Sequence, residues 1–307
     1  MPDRPSLDTD LTRLGTRVGT GAESGTEHDL RVQAGRFGPL DASEARALKA
    51  RAARRDVTER RRVTARLREA LASNGLLLHF QPQLQLKTGE VRGAEALIRL
   101  QHKRRGLILP NHFMPIAERT DIINDIGAWM LNHACAVAAE WPERMVVALS
   151  LSHRQLRSGK LTKHLIEALS RSGLAPYRLE VELTEAMLID DNDDTLFSLR
   201  ALQGLGVRLA LDNFGCGYAS LSALKRLPLS TLKLDRSLVE YLGQDLSGTA
   251  IVHAAVEAGH ALGCSVLAEG VETAEQCRLL DEIGCDEAQG PYFCPPVTLA
   301  DFRAKFT

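Results

Sequence analysis

From residue 76 onward, short β-type runs alternate with longer amphipathic helical stretches, and this alternation limits the fold more than any other feature of the chain. The runs are LLLHFQPQ (76–83), VRGAEALIRL (91–100), MVVALSLS (145–152), RLEVELT (178–184), VRLALDN (207–213), TLKLD (231–235), SVLAEG (265–270) and the weaker DEAQG (286–290). Helical segments such as IINDIGAWMLNHACAVAAEW (122–141) and TAIVHAAVEAGHALG (249–263) lie between them. Eight strands alternating with helices predict an α/β fold of the (β/α)8 barrel type. An open doubly wound sheet is the competing architecture. It is disfavoured because no Gly-rich phosphate loop follows the first strand.

Three segments are expected. Residues 1–40 carry Gly, Thr, Ser, Asp and Arg without a sustained apolar period, so they read as a disordered or loosely packed arm. Residues 41–74 read as a connector helix. It starts at the acidic Asp41–Glu44 turn, has an apolar stripe of Val63, Leu67, Ala70 and Leu71, and closes at Asn74-Gly75. Residues 75–307 form the barrel domain. Between Glu44 and Ala70 there are ten Lys/Arg against four Asp/Glu. No aromatic residue interleaves these arginines, so the run reads as a solvated face rather than an RNA or membrane contact.

The net charge of −1 over 307 residues argues against electrostatic binding of DNA. No apolar run approaches the ~20 residues of a membrane span, and the start MPDRPSLDTD lacks the basic-then-apolar order of a signal peptide. The six cysteines form no CxxC pair, and the nine histidines include no HExxH. That pattern fits a cytoplasmic chain with reduced thiols better than a disulfide framework or a zinc site.

The charged residues inside the strands point to the chemistry. Glu95 lies in the second run, Glu182 near the end of the fourth and Asp212 at the end of the fifth. Lys233 lies in the sixth and Glu269 at the end of the seventh, with Glu272 just beyond, and Gln289 ends the eighth. A buried carboxylate costs several kcal/mol unless paired or bound to a metal. In a barrel these strand ends converge on one mouth, where active sites are built. Oxygen donors favour Mg²⁺, Mn²⁺ or Ca²⁺. Two-metal phosphodiester hydrolysis fits this set, and so does metal-assisted enolisation with a lysine base. A Schiff-base aldolase using Lys233 fits less well, because it leaves the acidic ring unexplained.

The stretch Glu95-Ala96-Leu97-Ile98-Arg99 resembles the signature of the EAL domains, the bacterial cyclic di-GMP phosphodiesterases. The likeness continues through Phe80-Gln81-Pro82, FMPIAERTDII (113–123), VELTE (181–185), DNFGCGYASL (212–221), LPLSTLKLD (227–235), AEGVE (268–272) and QGPYF (289–293). The resemblance implies a barrel whose first strand is antiparallel. It implies hydrolysis of cyclic di-GMP to linear pGpG with Mg²⁺ or Mn²⁺. Glu95, Ser150, Glu182, Asp212, Asn213 and Glu269 would fall at the metal positions. Lys233 would sit against the attacking water, with Glu269 and Gln289 completing the catalytic set. Gln81, Leu97 and Arg99 would meet the nucleotide, Leu97 on a guanine and Arg99 on a phosphate. Glu185 would anchor the loop that starts at Asp212, with Glu272 assigned a similar role. A homodimer is implied, and residues 41–74 would occupy the usual connector position, where a protein partner could dock.

Two positions depart from the family pattern. Ser150 stands where the family has an asparagine, and Asn213 stands where it has the second of two aspartates. A hydroxyl is a shorter, poorer ligand, and Asn213 removes one negative charge. Metal affinity and rate are therefore expected to fall. The expected function is weak or conditional hydrolysis, with a catalytically silent cyclic di-GMP receptor or a protein-interaction module as alternatives. Cys216, inside the loop, reads as an inert small residue.

Overall fold

A computed structural model of the chain describes residues 42–188, 193–217, 221–244 and 246–307. Residues 1–40, expected as an arm, lie outside the described residues, as do positions 218–220 of the loop that follows Asp212. The chain divides into two units, residues 1–59 and 60–307. In the first, the described residues are helical from Ala42, and Lys49, Arg51 and Arg55 are exposed.

The second unit is a closed barrel. Its strands are β1 (Leu76–Gln85), β2 (Val91–His102), β3 (Gly106–Ile108), β4 (Val146–Ser150), β5 (Leu179–Thr184), β6 (Arg208–Phe214), β7 (Thr231–Leu234), β8 (Ser265–Ala268), β9 (Glu287–Ala288) and β10 (Val297–Thr298). The ring runs β1-β2-β4-β5-β6-β7-β8-β9 and closes because β1 pairs with both β2 and β9. An open sheet is thereby excluded. β1 is antiparallel to both neighbours, and the other neighbours within the ring are parallel. β3 and β10 are short antiparallel additions that no periodicity in the sequence signals.

The strand period of two separates two environments. On β5, Leu179, Val181 and Leu183 are fully buried in the apolar layer outside the ring. Glu180 and Glu182, between them, are buried among charged partners from other strands. On β7, Leu232 and Leu234 alternate with Thr231 and Lys233 in the same way. Such barrels are usually filled with branched apolar side chains. Here two polar layers, two residues apart on β5 and β7, replace that filling.

Helices cover the apolar side. The helix Ile122–Ala139 buries Ile123, Ile126, Met130, Ala134 and Ala138, a run at helical spacing. Trp141 packs edge-on to Phe80, with ring centroids 5.4 Å apart, and lies 5.0 Å from Phe302. The helix Ala42–Ala72 buries Val63, Leu67 and Ala70 in the barrel's main core, with Leu71 partly buried against it. It stops where Asn74 turns left-handed at φ 52° and the Gly75 N–H donates to the Ala70 carbonyl at 2.8 Å.

Candidate active site

Lys233 lies at the centre of the upper polar layer. Its Nζ is 2.6 Å from Glu182 Oε1, 2.7 Å from Glu269 Oε1, 3.4 Å from Glu95 Oε2 and 3.5 Å from Asp212 Oδ1. Three strands, β2, β5 and β6, and the residue just after β8 thus bring carboxylates to one ammonium that is fully shielded from solvent. Burial works to lower the lysine pKa, but Glu182, Glu269, Glu95 and Asp212 outweigh it and hold the group charged. The acids are crowded. Burial pushes the Glu269 carboxyl up to about 8 against the pull of Lys233, with Asp212 and Glu95 adding to the rise. Glu182 is raised by burial and then by Glu95, and Asp212 is raised by burial despite Lys233.

One positive charge among four carboxylates leaves negative charge in excess, and the donors are all hard oxygens. That chemistry suits a divalent oxygen-binding cation. Among the described residues, no three acidic, histidine or cysteine side chains converge with metal-ligand geometry. The carboxylates turn to Lys233 instead.

The two departures from the family pattern also face carboxylates. Ser150 Oγ donates to Glu182 Oε2 at 3.0 Å. Asn213 adopts a left-handed φ of 58°, which asparagine tolerates better than most residues. Its backbone N–H donates to Asp212 Oδ1 at 3.0 Å, and its side-chain amide to Oδ2 at 2.9 Å. In this structure both residues act as hydrogen-bond donors to the acidic ring.

Gln289 joins the same layer by donating Nε2 to Glu95 Oε2 at 2.5 Å and to Gln81 Oε1 at 3.3 Å. Arg99 is buried, and its Nη1 donates to the Ile98 carbonyl at 2.9 Å. Burial lowers its pKa, against the pull of Glu95. Leu97 is half-buried on β2, directly opposite His79. Glu185 is buried and accepts from the Gly215 N–H at 3.1 Å, which ties the end of β5 to the loop after β6. Glu272 stands apart: its carboxylate is exposed and lies 3.6 Å from Arg236. Cys216 is exposed, and its thiol is pushed up by desolvation and by Asp235, Glu185 and Asp212, which disfavours the reactive thiolate.

A lower polar layer lies beneath. Glu180 accepts from Arg92 at 2.9 Å, from Arg208 at 3.1 Å and from Thr231 at 2.7 Å. Arg92 also reaches Glu287 at 2.9 Å and Gln83 Oε1 at 3.4 Å. Gln83, fully buried, donates Nε2 to Gln289 Oε1 at 3.1 Å and so connects the layers. Sequence reasoning passed over Gln83. Its sole signal is a second buried-side polar residue two positions after Gln81.

The model of the EAL domain matches residues 64–296. The chain is 40% identical over 228 residues to the bifunctional diguanylate cyclase/cyclic di-GMP phosphodiesterase MucR of Pseudomonas aeruginosa, covering 73% of this chain and 33% of that protein. It is 38% identical over 247 residues to the cyclic di-GMP phosphodiesterase NbdA of the same species, covering 79% of this chain and 32% of that protein. The chain therefore spans about a third of the length of these relatives. A solved structure described as the PaMucR phosphodiesterase in complex with c-di-GMP superposes with a TM-score of 0.75 at 38% identity, covering 78% of this chain and 99% of that one. With a closed barrel, an antiparallel first strand and a match over most of its length, the chain belongs to the EAL domain family.

Proposed function

We propose that this chain hydrolyses cyclic di-GMP to linear pGpG in a reaction dependent on Mg²⁺ or Mn²⁺, and that turnover is weak or conditional. The observation that carries the proposal is the buried Lys233 ammonium held by four carboxylates at the barrel mouth. Glu95, Ser150, Glu182, Asp212, Asn213 and Glu269 are the residues that would hold the ions. When bound, divalent ions neutralise phosphate charge and lower the pKa of water.

The chain's own groups have distinct tasks. Arg99 offers a planar, permanently charged donor set to a phosphate. Leu97 offers an apolar face to a guanine, and Gln81 flanks the same mouth. Lys233 is held protonated, so it acts as a donor that orients water and stabilises charge, not as a base. Glu269 and Gln289 complete that arrangement. In the overall reaction a water oxygen bonds to phosphorus, one P–O3′ bond breaks, and the released 3′-oxygen takes a proton. Ser150 and Asn213 lower the ligand strength of the ring, which supports weak turnover.

A silent cyclic di-GMP receptor is the second reading. It is favoured by one observation: Asn213 already engages both oxygens of Asp212. A reducing cytoplasm suits the six free thiols. We also take residues 1–40, 41–74 and 75–307 as arm, connector and barrel. A homodimer, and a protein partner at residues 41–74, belong to the same proposal.

Purified protein mixed with cyclic di-GMP and Mn²⁺ or Mg²⁺ tests the proposal by chromatography for pGpG and calorimetry for binding. Metal-dependent pGpG supports hydrolysis. Binding without product supports the receptor, and neither result leaves the interaction module.

A further inference from the structure

The Gln289 amide is fixed from two sides by groups that cannot reverse their roles. Arg92 is a guanidinium and can only donate, so the Gln83 atom that faces it is Oε1, at 3.4 Å. The Gln83 nitrogen is then committed to Gln289 Oε1 at 3.1 Å. On the other side, the Cys294 carbonyl can only accept, and it takes Gln81 Nε2 at 3.2 Å. That turns Gln81 Oε1 toward Gln289 Nε2 at 3.3 Å. Both chains of bonds require the Gln289 nitrogen to point at Glu95, where it lies 2.5 Å from Oε2. A flipped Gln289 would press its oxygen against that carboxylate with no proton between them.

The backbone is built to bring Arg92 into this arrangement. Gln83 pairs with Gly93 and Leu84 with Val91, so Arg92 is an extra residue bulged out of the ladder. The bulge lets Arg92 join Glu180 and Glu287 on the inner side, next to Gln83. A Cβ at Gly93 would fall 2.0 Å from the Val146 carbonyl oxygen, so the neighbouring backbone approaches too closely for any larger residue there.

We propose that Gln83 is a positioning residue, which passes the fixed donor polarity of Arg92 to Gln289 and so keeps the Gln289 nitrogen on Glu95. Its side chain meets Arg92 on one side and Gln289 on the other. It acts through Gln289 on the orientation of one carboxylate of the acidic ring. The inference rests on the phosphodiesterase proposal for its effect on turnover, but not for its effect on the amide itself.

Two variants separate positioning from plain packing. Gln83→Met keeps the volume and removes both amide groups. Gln83→Glu keeps an acceptor for Arg92 but presents a second oxygen to Gln289, which favours the flipped amide. Without metal, side-chain amide spectra of glutamine-labelled protein report Gln289 directly, its signal being assigned by loss in Gln289→Met. In both Gln83 variants that signal should shift and exchange with solvent about tenfold faster or more. With Mn²⁺, pGpG release should fall on the order of tenfold in Gln83→Met, as for other groups that orient metal ligands, and further in Gln83→Glu. In a Gln289→Met background, Gln83→Met should change release less than about twofold, since its effect passes through Gln289. An unchanged Gln289 signal overturns the proposal. So does an equal fold-loss in both backgrounds, or Gln83→Glu outperforming Gln83→Met as packing alone requires. If Gln83→Met does not fold, Gln83→Glu carries the same two measurements. A wild-type chain that releases no pGpG overturns the phosphodiesterase proposal, and the amide signal still decides the role of Gln83.

Discussion

Glu180 and Glu182 are two residues apart on β5, both fully shielded from solvent, and their carboxyls shift in opposite directions. Burial alone would raise both. At Glu180 the charge and hydrogen bonds of Arg92, then Arg208 and Thr231, overcome burial and bring the carboxyl down to about 2. At Glu182 burial combines with Glu95, Asp212 and Glu269, and Lys233 does not offset them. Glu180 is therefore electrostatically satisfied, whereas the carboxyls around Lys233, when ionised, carry more charge than one ammonium offsets. A paired floor and the acidic ring around Lys233 are built from one strand.

The floor should behave as structure. Arg92→Met leaves Glu180 with its main counter-charge removed. Breaking a buried ion pair in this way costs about 3–5 kcal/mol. Urea denaturation at pH 7 should show a loss of that order. A loss below about 1 kcal/mol would mean that Arg208 and Thr231 suffice for Glu180.

Glu287 should make the fold pH-sensitive near neutrality. Burial raises its carboxyl to about 7, with Arg92 opposing and Glu180 adding to the rise. A raised folded-state value favours the protonated form. Its contribution is complete below the unfolded value near 4.5 and is lost as pH rises through about 7. A shift of this size corresponds to about 3 kcal/mol between those limits. Glu287→Gln should remove that part of the pH dependence. Denaturation of both proteins at pH 5 and pH 8 checks it, and parallel slopes for the two would refute the assignment.

Arg99 should act on binding more than on chemistry. Its guanidinium is buried beside Glu95 at the mouth. Hydrogen bonds to charged groups contribute about 1.5–3 kcal/mol, so Arg99→Ala should raise KM for cyclic di-GMP about ten- to a hundredfold. Steady-state kinetics should find kcat changed less than about threefold. A loss confined to kcat would place Arg99 away from the ground-state phosphate.

The strands and the acidic ring were legible because charge inside an apolar run is conspicuous. Glu182 and Lys233 could be read that way, and the barrel follows from the alternation around them. Glu180 sits in the same run, but its meaning depends on Arg92, whose inward direction comes from a bulge that no periodicity reveals. β9 was weak in the sequence because it is two residues long and contains Glu287, a charge explained by the floor. β3 and β10 are too short for any pattern to register. Ser150 and Asn213 were legible as departures from the family pattern. Their donation to Glu182 and Asp212 was not, because it depends on the left-handed backbone at Asn213 and on the register that sets Ser150 beside Glu182.

Restoring the family residues at those two positions tests how far they limit turnover. Asn213→Asp removes the side-chain donor on Asp212 and sets a second carboxylate beside it, in a layer already short of positive charge. Ser150→Asn replaces the hydroxyl donor on Glu182 with a longer amide. Without metal, Asn213→Asp should therefore melt at a lower temperature than wild type. With Mn²⁺ the order should reverse, because the added charge strengthens the hold on the ion. Both substitutions favour the same loaded state, so their effects should not add. The double variant should hydrolyse cyclic di-GMP faster at low Mn²⁺ than wild type or either single variant, by about ten- to a hundredfold. The gain should shrink at saturating Mn²⁺ if occupancy is what the natural sequence lacks, and persist if water activation is the defect. Titrating Mn²⁺ against both melting temperature and pGpG release distinguishes the two. A gain below about twofold at every Mn²⁺ concentration, with no reversal in melting order, would show that Ser150 and Asn213 do not limit this site.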